Sequence, residues 1–109
     1  MSGGRRRGPG VVRVAGSSMV PTLQPDDLLL VWWGARVRPG DLVVFGHPHH
    51  RGLLTVKRAT STDPADGTRW WVERDNPDAG SDSWLFGSIA EADILARVIT
   101  RLPTRRHRE

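Results

Sequence analysis

Asp93-Ile94-Leu95-Ala96-Arg97-Val98-Ile99-Thr100-Arg101-Leu102 decides between an all-β and a mixed chain, because its pattern admits either a strand or a short helix. Alternation favours the strand. Ile94, Ala96, Val98 and Thr100 fall on one face and Leu95, Arg97, Ile99 and Arg101 on the other, which predicts a strand with one partly charged face. Just upstream, Ile89 to Asp93 offers the one plausible helical turn, and Asp75 to Ser83 reads as a long polar loop. Arg69 to Arg74 and Leu53 to Ala59 read as two strands separated by a polar stretch in which Asp66-Gly67 is a hairpin signal. Leu42 to Phe45 and Leu28 to Trp33 are two more, each entered through a Pro-containing turn, Arg38-Pro39-Gly40-Asp41 and Gln24-Pro25-Asp26-Asp27. Val11 to Ala15 is the first strand. The chain therefore reads as all-β, with long turns, at most one short helical turn and no internal repeat.

Directly after that first strand comes Gly16-Ser17-Ser18-Met19-Val20-Pro21-Thr22-Leu23. Pro21 fixes its own φ and biases Val20 away from the helical region, so the chain is stiff just after two adjacent hydroxyls. A hydroxyl on a stiff turn at a strand end suits a nucleophile; it also suits a Ser-rich turn that closes an edge strand. A second catalytic group separates the two readings. One route is a histidine, His47, His49, His50 or His107, which with Ser18 would make a Ser/His pair. The other is Lys57, the sole lysine among 16 basic residues. An amine can give up its proton where a guanidinium cannot. Lys57 also lies in an apolar strand, where burial disfavours the ammonium and lowers the pKa toward what a general base needs. The competing reading is a lysine that snorkels to the sheet edge.

Composition narrows the classes. The 109 residues suffice for one domain with a modest core. A Gly/Arg-rich head over residues 1–10 is expected to be disordered, a single folded body spans 11–102, and 103–109 form a basic tail. The net charge of +4 resides in those ends, since residues 11–100 carry nine basic against eleven acidic side chains. Nucleic-acid binding is not expected of such a body. Without cysteine there is no disulfide, thiol nucleophile or Cys-based zinc site. His47-Pro48-His49-His50 raises a metal question, but Pro48 interrupts regular spacing and no carboxylate accompanies the group, so no metal or cofactor is expected. No apolar run approaches the roughly 20 residues of a membrane span. The head lacks the apolar region of a signal peptide. The expectation is a cytoplasmic protein, with peripheral membrane contact through the Arg-rich ends left open.

In order along the chain, Ser18-Met19-x-Pro21-Thr22-Leu23, Lys57-Arg58, Asp75-Asn76, and Ser81-Asp82-Ser83 with Gly87 resemble the boxes of the type I signal peptidase family of Ser/Lys proteases. The resemblance runs from about Val11 to Leu102 and looks most like the compact nickel-type superoxide dismutase maturation proteases. It implies a signal peptidase/repressor-protease β-fold, Ser18 as nucleophile and Lys57 as general base. It also implies oxyanion or substrate contacts at Gly16, Ser17 and Met19, and structural support from Arg58, Asp75 and Asp82, with Arg58 paired to Asp82. The implied partner is a protein precursor with an N-terminal leader, a nickel superoxide dismutase precursor above all. Substrate backbone is expected to add beside the strand next to Ser18, with pockets lined by Val14, Met19 and Leu23. Three departures stand out: Gly16 where relatives carry a hydroxyl, Arg74 for the usual Gly before Asp-Asn, and Trp84 for the usual Arg after Asp-Ser. Gly80 occupies the place of a hydroxyl that often touches the lysine. The alternatives are a signal peptidase-like enzyme acting on general leaders, a protease-like domain that has lost activity, and a non-catalytic β-module that binds anionic partners through its Arg-rich ends.

Overall fold

A computed structural model describes residues 6–103, whose seven strands form one antiparallel sheet. The strands are β1 (Gly8–Arg13), β2 (Leu28–Trp33), β3 (Leu42–Gly46), β4 (Leu54–Asp63), β5 (Asp66–Glu73), β6 (Ile89–Ala90) and β7 (Ile94–Arg101). They lie side by side as β1-β2-β7-β3-β4-β5-β6. The last long strand inserts between β2 and β3, and it follows the predicted alternation at its start, with Ile94 and Ala96 buried and Leu95 exposed. The fold is all-β.

β3 explains why this sheet needs apolar residues on both sides. Val44 packs with Val14, Met19, Leu29, Val31 and Val56, whereas its neighbours Val43 and Phe45 pack with Ala59, Trp70, Val72 and Ile94. Side chains alternate across a strand, so Val43-Val44-Phe45 feeds two cores from one run. The first core lies under Met19 and therefore under Ser18.

Several boundaries differ from expectation. β1 begins at Gly8, three residues before Val11, with Gly8 opposite Trp33 and Arg13 opposite Leu28. Residues 1–5 of the expected disordered head, and the tail beyond Pro103, lie outside the described residues. The β4–β5 reversal falls at Pro64-Ala65, not at Asp66-Gly67. Asp63 accepts the Ala65 N–H at 2.9 Å and so closes the turn earlier in the chain, while Asp66 is engaged by the Thr68 N–H and hydroxyl inside β5. Among the described residues helical turns occur twice, as a 3-10 turn at Glu91–Asp93 and a four-residue helix, α1 (Ser83–Phe86). The second follows the polar loop because Asp82 accepts the Trp84 N–H at 3.1 Å and caps it.

Phe45 is fully buried at the centre of the second core, whereas Leu85 of α1 is 73% exposed. Phe45→Ala is expected to lower stability by about 3–5 kcal/mol and Leu85→Ala by less than about 0.5 kcal/mol. Urea denaturation of the two variants measures the contrast.

Candidate active site

Ser18 sits on the turn that leaves β1. Met19 anchors this turn: it is 1% exposed in the first core, and its carbonyl accepts the Leu23 N–H at 2.9 Å. Gly16 has φ +78°, a backbone region that side chains with a Cβ rarely adopt. That conformation accounts for the missing hydroxyl at Gly16, because the path of the chain there calls for glycine. The Val20–Pro21 peptide is cis.

The polar loop after β5 holds the turn from the other side. Asn76 donates its backbone N–H to the Ser18 carbonyl at 2.8 Å and its side-chain amide to the Ser17 carbonyl at 2.9 Å. Both peptides flanking the Ser18 Cα are thereby fixed by one residue. Thr22, at the end of the turn, donates its hydroxyl to Asp75 at 2.6 Å, and Asp75 receives Arg58 through two parallel bonds of 3.0 and 2.8 Å. A bidentate guanidinium–carboxylate pair is a strong, directional contact. It keeps the Asp75 carboxyl below the usual carboxylate range, chiefly through the Arg58 hydrogen bonds.

Arg58 therefore pairs with Asp75 and not with Asp82, which corrects the expected pairing. Successive residues of a strand point to opposite faces. Asp82 lies near enough to Lys57 for its charge to favour the ammonium, so the next side chain, Arg58, faces away from it. Asp82 instead caps α1 and accepts the Arg74 N–H at 3.1 Å.

Lys57 lies opposite Val43 in the β3–β4 ladder and is 3% exposed. Its Nζ is 2.6 Å from Ser18 Oγ. Burial lowers the Lys57 pKa below its ordinary 10.5, the Asp82 charge opposes that shift and the Arg74 charge adds to it. A neutral amine can then accept the Ser18 proton. His47, His49 and His50 cluster with one another and with Phe86, and His47 Nδ1 accepts the His49 N–H at 3.0 Å; the Ser18 hydroxyl meets Lys57, while His47 feels the Lys57 charge only through space. His107 lies outside the described residues. No group of three or more potential metal ligands is arranged to hold an ion among the described residues.

Beside Ser18 opens a cleft of about 200 Å³, walled by Val12, Val14 and Ala15 on one side and by Val44, Leu54 and Val56 on the other. Val14 and Met19 line it as expected, whereas Leu23 does not line it. The sequence reading gave no role to Asn76 itself and missed Thr22 and Gly80 as contacts of the nucleophile turn. The Asp-Asn motif was the available signal for the first.

The chain belongs to the Peptidase S24-like family, whose profile matches residues 5–99. It is also similar to the mitochondrial inner membrane protease subunit 2 of Schizosaccharomyces pombe, with 28% identity over 111 residues that cover 82% of this chain and 62% of that protein. The chain thus spans about three fifths of that relative's length, and its all-β fold and the family match agree in placing it among S24-like peptidase domains. No helix among the described residues is long and apolar enough to cross a membrane.

Arg58→Ala and Asp75→Ala are each expected to destabilise the protein, and the double variant to lose less than their sum, with a coupling of about 1–2 kcal/mol. Arg58→Ala combined with Asp82→Ala is expected to be additive. Denaturation of the two cycles checks both statements.

Proposed function

We propose that this protein is a Ser/Lys endopeptidase that removes an N-terminal leader from a protein precursor. The 2.6 Å approach of Lys57 Nζ to Ser18 Oγ, in a setting that disfavours the ammonium, is the observation that carries the reading. Ser18 Oγ attacks the scissile carbonyl as its proton passes to Lys57 Nζ. The resulting ammonium gives that proton to the leaving amine, and water then hydrolyses the ester at Ser18. Backbone amides of the nucleophile turn, that of Ser18 first, carry the oxyanion role, because Gly16 supplies no hydroxyl.

Substrate binding follows from strand order. β1 stands at the edge of the sheet, so an extended leader can pair with its outer side. Val14, Val44, Leu54 and Val56 favour a compact apolar side chain in the cleft beside Ser18. For the client, the resemblance to nickel superoxide dismutase maturation proteases supports a nickel superoxide dismutase precursor cut immediately before its first mature histidine. General leader processing is the second reading, and the relative named as an inner membrane protease subunit favours it.

Ser18→Ala and Lys57→Arg are expected to abolish cleavage with the fold retained, since arginine keeps the charge without acting as a base. Lys57 must lose its proton to work, so activity rises with pH, along a limb below 10.5 that persists when His47, His49, His50 and His107 are all replaced. Near wild-type turnover in Lys57→Arg would remove the dyad. Co-expression with the precursor, read by intact mass, tests the client: an uncut leader beside active enzyme sinks this substrate, and cleavage of ordinary secretory leaders supports the second reading.

A further inference from the structure

Arg74 follows β5 directly, after the last pair of its ladder with β4, Glu73 opposite Arg58. Its backbone N–H turns to Asp82 at 3.1 Å instead of continuing that ladder, and its charge acts on Lys57 from there. From there its guanidinium turns onto the loop. Nη1 donates to the Gly80 carbonyl at 2.9 Å and Nη2 to the Pro77 carbonyl at 3.2 Å. The far end of that loop rests on the nucleophile. Gly80 has φ +79°, and a Cβ placed on it would lie 2.5 Å from Ser18 Cβ and 3.5 Å from Ser18 Oγ. Gly80 backbone is thus one wall of the space in which the Ser18 side chain turns.

We propose that Arg74 is a positioning residue for the Ser18–Lys57 pair, strapping the Pro77–Gly80 segment so that Gly80 packs on Ser18 and keeps its hydroxyl aimed at Lys57. This rests on the Ser/Lys reading of the site. A planar guanidinium spans two carbonyls at once, which one ammonium does not reproduce. A glycine at position 74, as in the resembling family, would leave both carbonyls without this brace.

The same cation acts on Lys57 through space. The charged and titratable groups facing Lys57 are Asp82 at the cap of α1, Arg74 after β5 and His47 after β3. Among them Asp82 favours the ammonium and Arg74 opposes it. Position and charge at residue 74 therefore make separable predictions.

The test compares Arg74→Gln, Arg74→Lys and Gly80→Ala in the full chain, with a leader-peptide substrate and with a penem-type acylating probe that needs no substrate. Arg74→Gln is expected to lower kcat at neutral pH by on the order of ten- to a hundredfold with KM nearly unchanged, and to move the basic limb of the pH profile upward. Arg74→Lys keeps the limb in place but still loses kcat, because one amine does not brace both carbonyls. Gly80→Ala, in which a methyl meets Ser18, loses kcat and probe acylation together. Wild-type kcat and an unmoved limb in Arg74→Gln, or losses confined to KM, overturn the proposal. Ser18→Ala separates the two claims. If it still takes up probe or cuts, or if the wild type takes up none, the Ser/Lys reading fails and this proposal with it. If Ser18→Ala is inert while Arg74→Gln matches the wild type, the role of Arg74 alone fails.

Discussion

Everything else in this molecule depends on keeping one amine out of water and against one hydroxyl. Lys57 is 3% exposed and 2.6 Å from Ser18 Oγ, in a strand whose other buried residues are Val56 and Ala59. A buried ammonium without full compensation is costly, so the cheapest state of such a lysine is neutral. Asp82 is close enough to favour the charge, but its carboxylate is also engaged by the Arg74 and Trp84 amides. Burial outweighs that charge, and the Lys57 pKa lies below its ordinary 10.5. The linkage has a definite sign. The unfolded chain holds the Lys57 proton over a pH range in which the folded chain has lost it, so this group's contribution to stability grows as pH rises through that range and is smallest below it.

The sheet supplies the rigidity that this contact demands. β4 is paired on both sides, by β3 and β5, so Lys57 is displayed from a strand with little freedom to shift. Ser18, by contrast, is on a turn, and turns require bracing. Met19 plugs the core below it, Asn76 takes the carbonyls of Ser17 and Ser18, and the Thr22–Asp75–Arg58 chain ties the end of the turn to β4, one residue along from Lys57. Ser18 and Lys57 are thus fastened to the same strand by independent routes. The open edge of β1 beside them leaves room for an extended partner.

How much of this the sequence discloses depends on which atoms do the work. The strands were legible because burial leaves a period of two, most clearly in Ile94-Leu95-Ala96. That Ser18 and Lys57 would meet was legible because the chemistry proposed for them needs particular side chains, and a lone lysine among arginines stands out. The Pro64-Ala65 turn was not, since Asp63 and Asp66 offer the same turn chemistry and only the pairing of β4 with β5 chooses between them. Arg58 was given the wrong partner because a sequence shows spacing without showing which face of β4 a carboxylate approaches. Asn76, Arg74 and Gly80 act on or through main-chain carbonyls and close backbone contact. Any residue carries a carbonyl, so a sequence leaves no mark of which one is used.

The ionisation of Lys57 is the point on which the account stands. Because the chain has a single lysine, protein labelled with carbon-13 at the lysine ε position gives one side-chain resonance, and its shift can be followed by NMR as pH is raised. A midpoint clearly below the ordinary 10.5, moving on Ser18→Ala or Arg74→Gln, is the result this structure predicts. A midpoint at the ordinary value, indifferent to both substitutions, would mean that Lys57 is solvated and charged at neutral pH and does not serve Ser18 as a base.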